Sequence, residues 1–218
     1  MAAPLITIPN WVPNPNINLK ILFVTENYPG NPNAVNNNTY FYRTLNPQIN
    51  VRGNNNLLDN ICSALNISGQ NERDKLNNFL SRNYFLIDTF PHGQTWNKNL
   101  LNQTIQNISW IDGILNGLHI LNPQQIIITC ERSNGVLLPI LRRRALQLNM
   151  PNIFNALVSP LNTIHNNGNQ YFGIPIRGEV FKSPSNRWFH NQTSRHGRLI
   201  FGFKSQIEAV IQIGHLCP

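Results

Sequence analysis

Apolar residues along the 218-residue chain gather in short unbroken runs, and between those runs they recur at helical spacing. "LKILFVT", Leu19 to Thr25, shows no alternation of apolar and polar positions, which predicts a strand buried on both faces. "YFLIDTF" from Tyr84 to Phe90 and "QQIIITC" from Gln124 to Cys130 repeat the pattern, and "NIFNALVS" from Asn152 to Ser159 predicts a fourth strand. Helical patterns fill the gaps, at Asn56 to Leu65 and at Asn71 to Ser81. Leu101, Ile105, Ile108, Ile111, Leu115 and Leu118 form one stripe, predicting a long amphipathic helix over Leu100 to Leu121 with a break near Gly113 or Gly117. A further helix carries Leu137, Leu138, Leu141 and the triplet Arg142-Arg143-Arg144.

Strands and helices that alternate in this way predict an α/β fold with parallel strands and right-handed crossovers. The expected form is a three-layer α/β/α sandwich around a central four-stranded parallel sheet. The length suits one domain spanning 1–218. Up to Asn18 the Pro/Asn alternation of "MAAPLITIPNWVPNPN" predicts an extended arm on the surface, and a basic segment occupies about 171–218.

Charge narrows the partners. Only 12% of residues are charged, yet Lys+Arg outnumber Asp+Glu by 17 to 9, a formal net charge of +8. Such a surplus favours a polyanion, because Lys and Arg replace the counterions condensed on phosphates; a generally basic soluble protein is the other reading. The opening residues carry no basic leader and no apolar run long enough to span a bilayer, so a soluble, cytoplasmic, intracellular chain without membrane contact is expected. Cys62, Cys130 and Cys217 form no C-x-x-C pair, which argues against a disulfide scaffold, a zinc site or an iron–sulfur cluster; no metal and no cofactor is expected. The 37 asparagines belong to turns and surfaces rather than to chemistry, and the chance sequons at Asn66 and Asn107 are not read as glycosylation sites.

In open parallel sheets the site lies outside the carboxyl ends of the strands. That rule selects four loops: Glu26, Asn27, Tyr28, Pro29 and Gly30; Asp88, Thr89, Pro91, His92 and Gly93; Thr129, Glu131, Ser133 and Asn134; and Ser159, Pro160, Asn162 and His165. None contains a Walker or dinucleotide fingerprint. A carboxylate such as Glu26 at a strand end suits acid/base or electrostatic catalysis, with an N-cap or an ion pair as the structural alternative. Asp88 and Asp112 are the other carboxylates near these loops. Tyr40, Phe41 and Tyr42 offer aromatic faces on which a base can stack, unless, like many consecutive aromatics, they serve packing. His92 and His165 fall in polar loops where an imidazole can hydrogen-bond a leaving-group oxygen. From Tyr171 to Lys204, Arg177, Lys182, Arg187, Arg195, Arg198 and Lys204 face Glu179 alone, with Trp188, Phe189 and His190 among them. That mixture suits a nucleic-acid contact surface or a solvated loop closing on a strand at "LIFGF".

"TENYPG", "TYFYR", strand-"DTFPHG", a long helix, "NPQQIIITCERSNGVLLPILR" and a last Ser-Pro/His loop together resemble the uracil-DNA glycosylase superfamily over Lys20 to about Asn169. The resemblance implies an α/β/α sandwich and a monomeric DNA glycosylase that flips a base from the helix and hydrolyses its N-glycosidic bond without a cofactor. In it Glu26 or Asn27 positions water or stabilises the sugar cation. Tyr40 or Phe41 stacks on the base, with Tyr28 and His92 lining the same pocket, and Asp88 reads the base edge. Ser159, Asn162 and His165 contact the departing base or a phosphate, and Lys182, Arg187, Arg195 and Arg198 hold the DNA backbone. The chain departs from the pattern in three places. Thr25 stands where a Gly commonly precedes the catalytic motif, Asp88 stands where an Asn usually reads uracil, and Ser159-Pro160-Leu161-Asn162 replaces a His-Pro-Ser loop. Those departures imply a uracil-like or modified pyrimidine as substrate, in DNA repair or in defence against phage with altered DNA. A non-enzymatic nucleic-acid binder and a nucleoside or nucleotide hydrolase are the alternatives.

Overall fold

The apolar run Ile21 to Val24, closed by Thr25, forms β1, Ile21–Thr25. In the computed structural model the described residues are 12, 15, 19–25, 41–46, 51, 53–88, 106–129, 137–158, 181, 184, 189–193, 195, 197, 199–200 and 202–212. Four successive β1 side chains, Ile21 to Val24, are at most 1% exposed. Side chains alternate between the faces of a strand, so both faces of the sheet are covered at β1. β2 (Tyr84–Asp88) and β3 (Gln125–Ile128) flank β1, and a two-residue β4 (Leu157–Val158) completes an all-parallel sheet of order β2-β1-β3-β4. The pairing register sets Thr25 beside Asp88 and Val24 beside Ile128. This is the α/β fold that the apolar pattern predicts.

Between β1 and β2 lie a 3-10 turn (Arg43–Leu45) and the helices α1 (Asn56–Ala64) and α2 (Glu72–Ser81), with α2 packed on β2. Between β2 and β3 lies α3 (Ile108–Leu121), which runs through Gly113 and Gly117 without interruption. α4 (Leu137–Gln147) and α5 (Pro151–Ala156) follow β3, and α3, α4 and α5 pack on one another. A small antiparallel hairpin of β5 (Gln192–Thr193) and β6 (Leu199–Ile200) then leads into α6 (Phe203–Gln212), which packs on α1. No helix among the described residues is long and apolar enough to cross a membrane.

Asparagine explains how the helices start and stop. Asn55, Asn71 and Asn107 are N-caps whose side chains accept hydrogen bonds from the backbone N–H of Leu58, Asp74 and Trp110, satisfying donors that have no partner within the helix. Every described non-glycine residue at positive φ is also an asparagine: Asn66, Asn83, Asn122 and Asn149, each at or just past the end of one of α1 to α4. The left-handed conformation that closes a helix is sterically costly for most side chains, and asparagine is the residue besides glycine that tolerates it best.

Two further expectations change. "NIFNALVS" is mostly helix: Pro151 occupies the first turn of α5, where its missing N–H costs nothing and its fixed φ fits, and only Leu157 and Val158 pair with β3. The arm before Asn18 is not wholly superficial, because Val12 is 3% exposed and belongs to the apolar core.

Candidate active site at the carboxyl end of the sheet

The chain leaves β1 for β2 on one side and returns past it to β3 on the other. The order therefore reverses at β1, the position outside whose carboxyl end ligands bind in open parallel sheets. Thr25 and Asp88 end β1 and β2 there, and Thr129 follows β3. Thr25, half-buried at the end of β1, donates its hydroxyl to the Asp88 carboxylate across the register and lies within reach of the Ile87 carbonyl at 3.3 Å. Thr129, 3% exposed, donates its backbone N–H to the Val24 carbonyl at 2.9 Å and sets its hydroxyl 3.4 Å from the same oxygen. Burial pushes the Asp88 carboxyl up to about 6, against the hydrogen bond from Thr25, which pulls it down. A group that titrates so close to neutrality at a strand end is a candidate for binding or chemistry.

Edge strand β2 is held in place behind Asp88. The buried Tyr42 hydroxyl donates to the Leu86 carbonyl at 3.0 Å and accepts from the Leu86 N–H at 2.7 Å, so one side chain satisfies both outward-facing groups of that residue. Tyr42 is fixed in turn. The neighbouring Arg43, 1% exposed, grips both carboxylate oxygens of Glu72 (2.9 and 2.6 Å) and donates to the Gly53 carbonyl at 2.7 Å. Asn55 donates to Glu72 and to the Phe41 carbonyl. This network ties the chain returning from the loop after β1 to the starts of α1 and α2.

Phe181 joins the same end from far along the chain. Its N–H donates to the Ile128 carbonyl at 3.1 Å, and it bridges Thr129 in parallel, beside β3 and beyond the point where β4 ends. It is fully buried. Phe181, inside the basic segment, thus lies at the carboxyl end of β3, a placement that the sequence reading missed; the available signal was the apolar pair Val180-Phe181 set between Glu179 and Lys182. Helix α6 was missed too, although Phe203, Ile207 and Val210 repeat at helical spacing and are all buried.

Of the residues named from sequence, Asp88 stands at the carboxyl end of β2 and Arg195 is exposed at the turn between β5 and β6. Phe41 is 1% exposed and packs edge-on against Tyr42 and Phe79, with ring centroids at 4.9 and 5.2 Å, within the aromatic core. Glu26, Asn27, Tyr28, Tyr40, His92, Ser159, Asn162, His165, Lys182, Arg187 and Arg198 lie outside the described residues. Asp112 takes the structural role: Arg144 binds both of its oxygens at 2.7 and 2.8 Å across α3 and α4, and this hydrogen-bonded pairing lowers the Asp112 pKa. Arg142 donates to the Leu157 carbonyl and lies over the Phe154 ring, which leaves Arg143 as the exposed member of the arginine triplet. Among the described residues no group of three His, Cys, Asp or Glu side chains is placed to hold a metal ion. No family model, curated protein or solved structure matches the chain.

Proposed function

We propose that the protein is a DNA glycosylase of the kind that its motifs resemble, a three-layer α/β/α enzyme that hydrolyses the N-glycosidic bond of a modified pyrimidine flipped out of DNA. The observation that carries the reading is Asp88: a partly buried carboxyl with a pKa near 6, fixed by Thr25 at the carboxyl end of the strand where the resemblance puts the base-reading residue. The four-stranded parallel sheet and the reversal of strand order at β1 support it, because they pair Thr25, the residue before Glu26 and Asn27 in the sequence, with Asp88.

The chemistry of Asp88 refines the substrate. Above pH 6 its carboxylate accepts hydrogen bonds and donates none. An acceptor suits the exocyclic amino group of a cytosine-type base and opposes the 4-keto oxygen of uracil, which is itself an acceptor. A 5-substituted cytosine is therefore the expected substrate. Glu26 or Asn27 would direct water at the sugar carbon or stabilise its developing positive charge.

The test is to incubate the protein with duplexes containing uracil, cytosine, 5-hydroxymethylcytosine or its glucosylated form and to assay the released base by mass spectrometry. Release of an amino-bearing pyrimidine is expected, lost in Asp88→Asn, whose amide still accepts from Thr25 but offers a substrate an NH2 donor. Intact binding with no base released from any duplex would sink the reading and favour a non-enzymatic DNA binder.

A further inference from the structure

The two oxygens of the Asp88 carboxyl are unequally occupied. The Thr25 hydroxyl has one proton to donate and two acceptors in reach, Asp88 Oδ1 and, at 3.3 Å, the Ile87 carbonyl. An ionised carboxylate is the stronger acceptor, so the proton goes to Oδ1. Oδ2 has no hydrogen-bond partner among the described residues, and Asp88 is only half-buried.

The backbone holds the pair from both sides. Thr25 stands opposite Asp88 in the parallel register, the Thr129 N–H binds the Val24 carbonyl on the far side of β1, and the Tyr42 hydroxyl clasps Leu86 on the outer edge of β2. Charged groups of the surrounding elements are committed elsewhere: Glu72 is paired with Arg43, Lys75 with Asp59 and Asp112 with Arg144. Neither these nor Arg73 and Asp74 of α2 contribute to the displaced pKa of Asp88, which burial raises and the Thr25 hydroxyl lowers. Thr25 is thus the one described side chain that acts on the carboxyl.

We propose that Thr25 makes Asp88 a two-way reader of pyrimidines: by keeping Oδ1 occupied it leaves Oδ2 to accept from a 4-amino base when the carboxyl is ionised and to donate to a 4-keto base when it is protonated. The proposal rests on the glycosylase reading and adds a second substrate class, uracil-type bases, at mildly acid pH. The same bond places the proton. An oxygen that already accepts from Thr25 is the less basic of the two, so the titrating proton binds Oδ2, the atom left to meet a base edge. Thr25 is a positioning residue here, since it touches the carboxyl and not the base.

The test is the ratio of keto to amino base released, by mass spectrometry, from two duplexes that differ only in carrying 5-hydroxymethyluracil or 5-hydroxymethylcytosine. It is followed from about pH 5 to 8 for the wild type, Thr25→Val, Thr25→Ser and Asp88→Asn. Factors common to both bases cancel in the ratio. In the wild type it is expected to fall about tenfold per pH unit, as the protonated carboxyl gives way to the ionised one. Thr25→Val removes a hydrogen bond that favours the ionised form, so the ratio should rise at every pH, and Thr25→Ser should restore the wild-type line. Asp88→Asn donates at every pH and should favour the keto base with no pH dependence. A hydroxyl with a merely structural role would lower both releases together and leave the ratio alone. A wild-type ratio flat with pH, which is read without any variant, or a ratio unmoved by Thr25→Val would overturn the proposal and leave the glycosylase standing. No release of either base at any pH would remove the glycosylase reading and the proposal with it.

Discussion

Asp88 is held at some expense to the fold. An ordinary aspartate ionises near 3.8, and this one near 6. Between those values the folded chain holds a proton that the unfolded chain has released, so stability falls as pH rises from about 4 to 6 and stays lowered above it. A salt-bridged carboxylate has the opposite sign. The shift of about two pH units corresponds to at most about 3 kcal/mol. Urea denaturation of wild type and Asp88→Asn should therefore coincide near pH 4 and separate by pH 7, with the variant the more stable; equal stability at pH 7 would show that ionised Asp88 is not strained. A variant that gains stability while losing base release is the pattern of a functional residue. Position 88 was legible because a carboxylate ends an apolar run. Its raised pKa was not, since burial depends on what packs against β2. Asparagine teaches the same lesson from the other side: its abundance was visible, but its use at helix ends emerged only when Asn66, Asn83, Asn122 and Asn149 proved left-handed.

At the level of elements, β1, β2, β3, α1 and α2 were legible within two residues because each has one unambiguous period. "NIFNALVS" was not, since Ile153, Ala156 and Leu157 satisfy a helical repeat as well as an apolar run, and Pro151 at a first turn tips the balance. Contacts between distant elements left no periodic trace, and the Tyr42 clasp on Leu86 is the clearest case. Tyr42→Phe keeps the ring and removes the hydroxyl, stranding a buried N–H and a buried carbonyl on an edge strand. We expect a loss of about 1–3 kcal/mol in urea denaturation, with faster hydrogen exchange at the Leu86 amide than at β1 amides. Unchanged exchange at Leu86 would mean that another group had taken over the role of the hydroxyl.

For the molecule as a whole, one apolar core joins α1, α2, the sheet and α3 to α6. Cys62 reports on that continuity. It is buried in α1, 4.0 Å from the Lys75 carbonyl of α2, and burial pushes its thiol up to about 12. Thiolate is the reactive form, so labelling should await opening of the core. In a Cys130→Ser/Cys217→Ser background, the opening free energy from Cys62 labelling should match that from urea unfolding and show the same denaturant slope; a urea-independent rate would reveal a local opening of α1 instead. The strand order also bears on synthesis. β1 is made first but sits between its partners, the nearer of which, β2, begins about 60 residues later, roughly 3–12 s on a translating ribosome. During that interval Ile21 to Val24 have neither neighbour and form a sticky apolar segment on a nascent chain. Mutations or codons that slow elongation between Thr25 and Gln125 should therefore lower the yield of folded protein even when they leave the finished fold untouched.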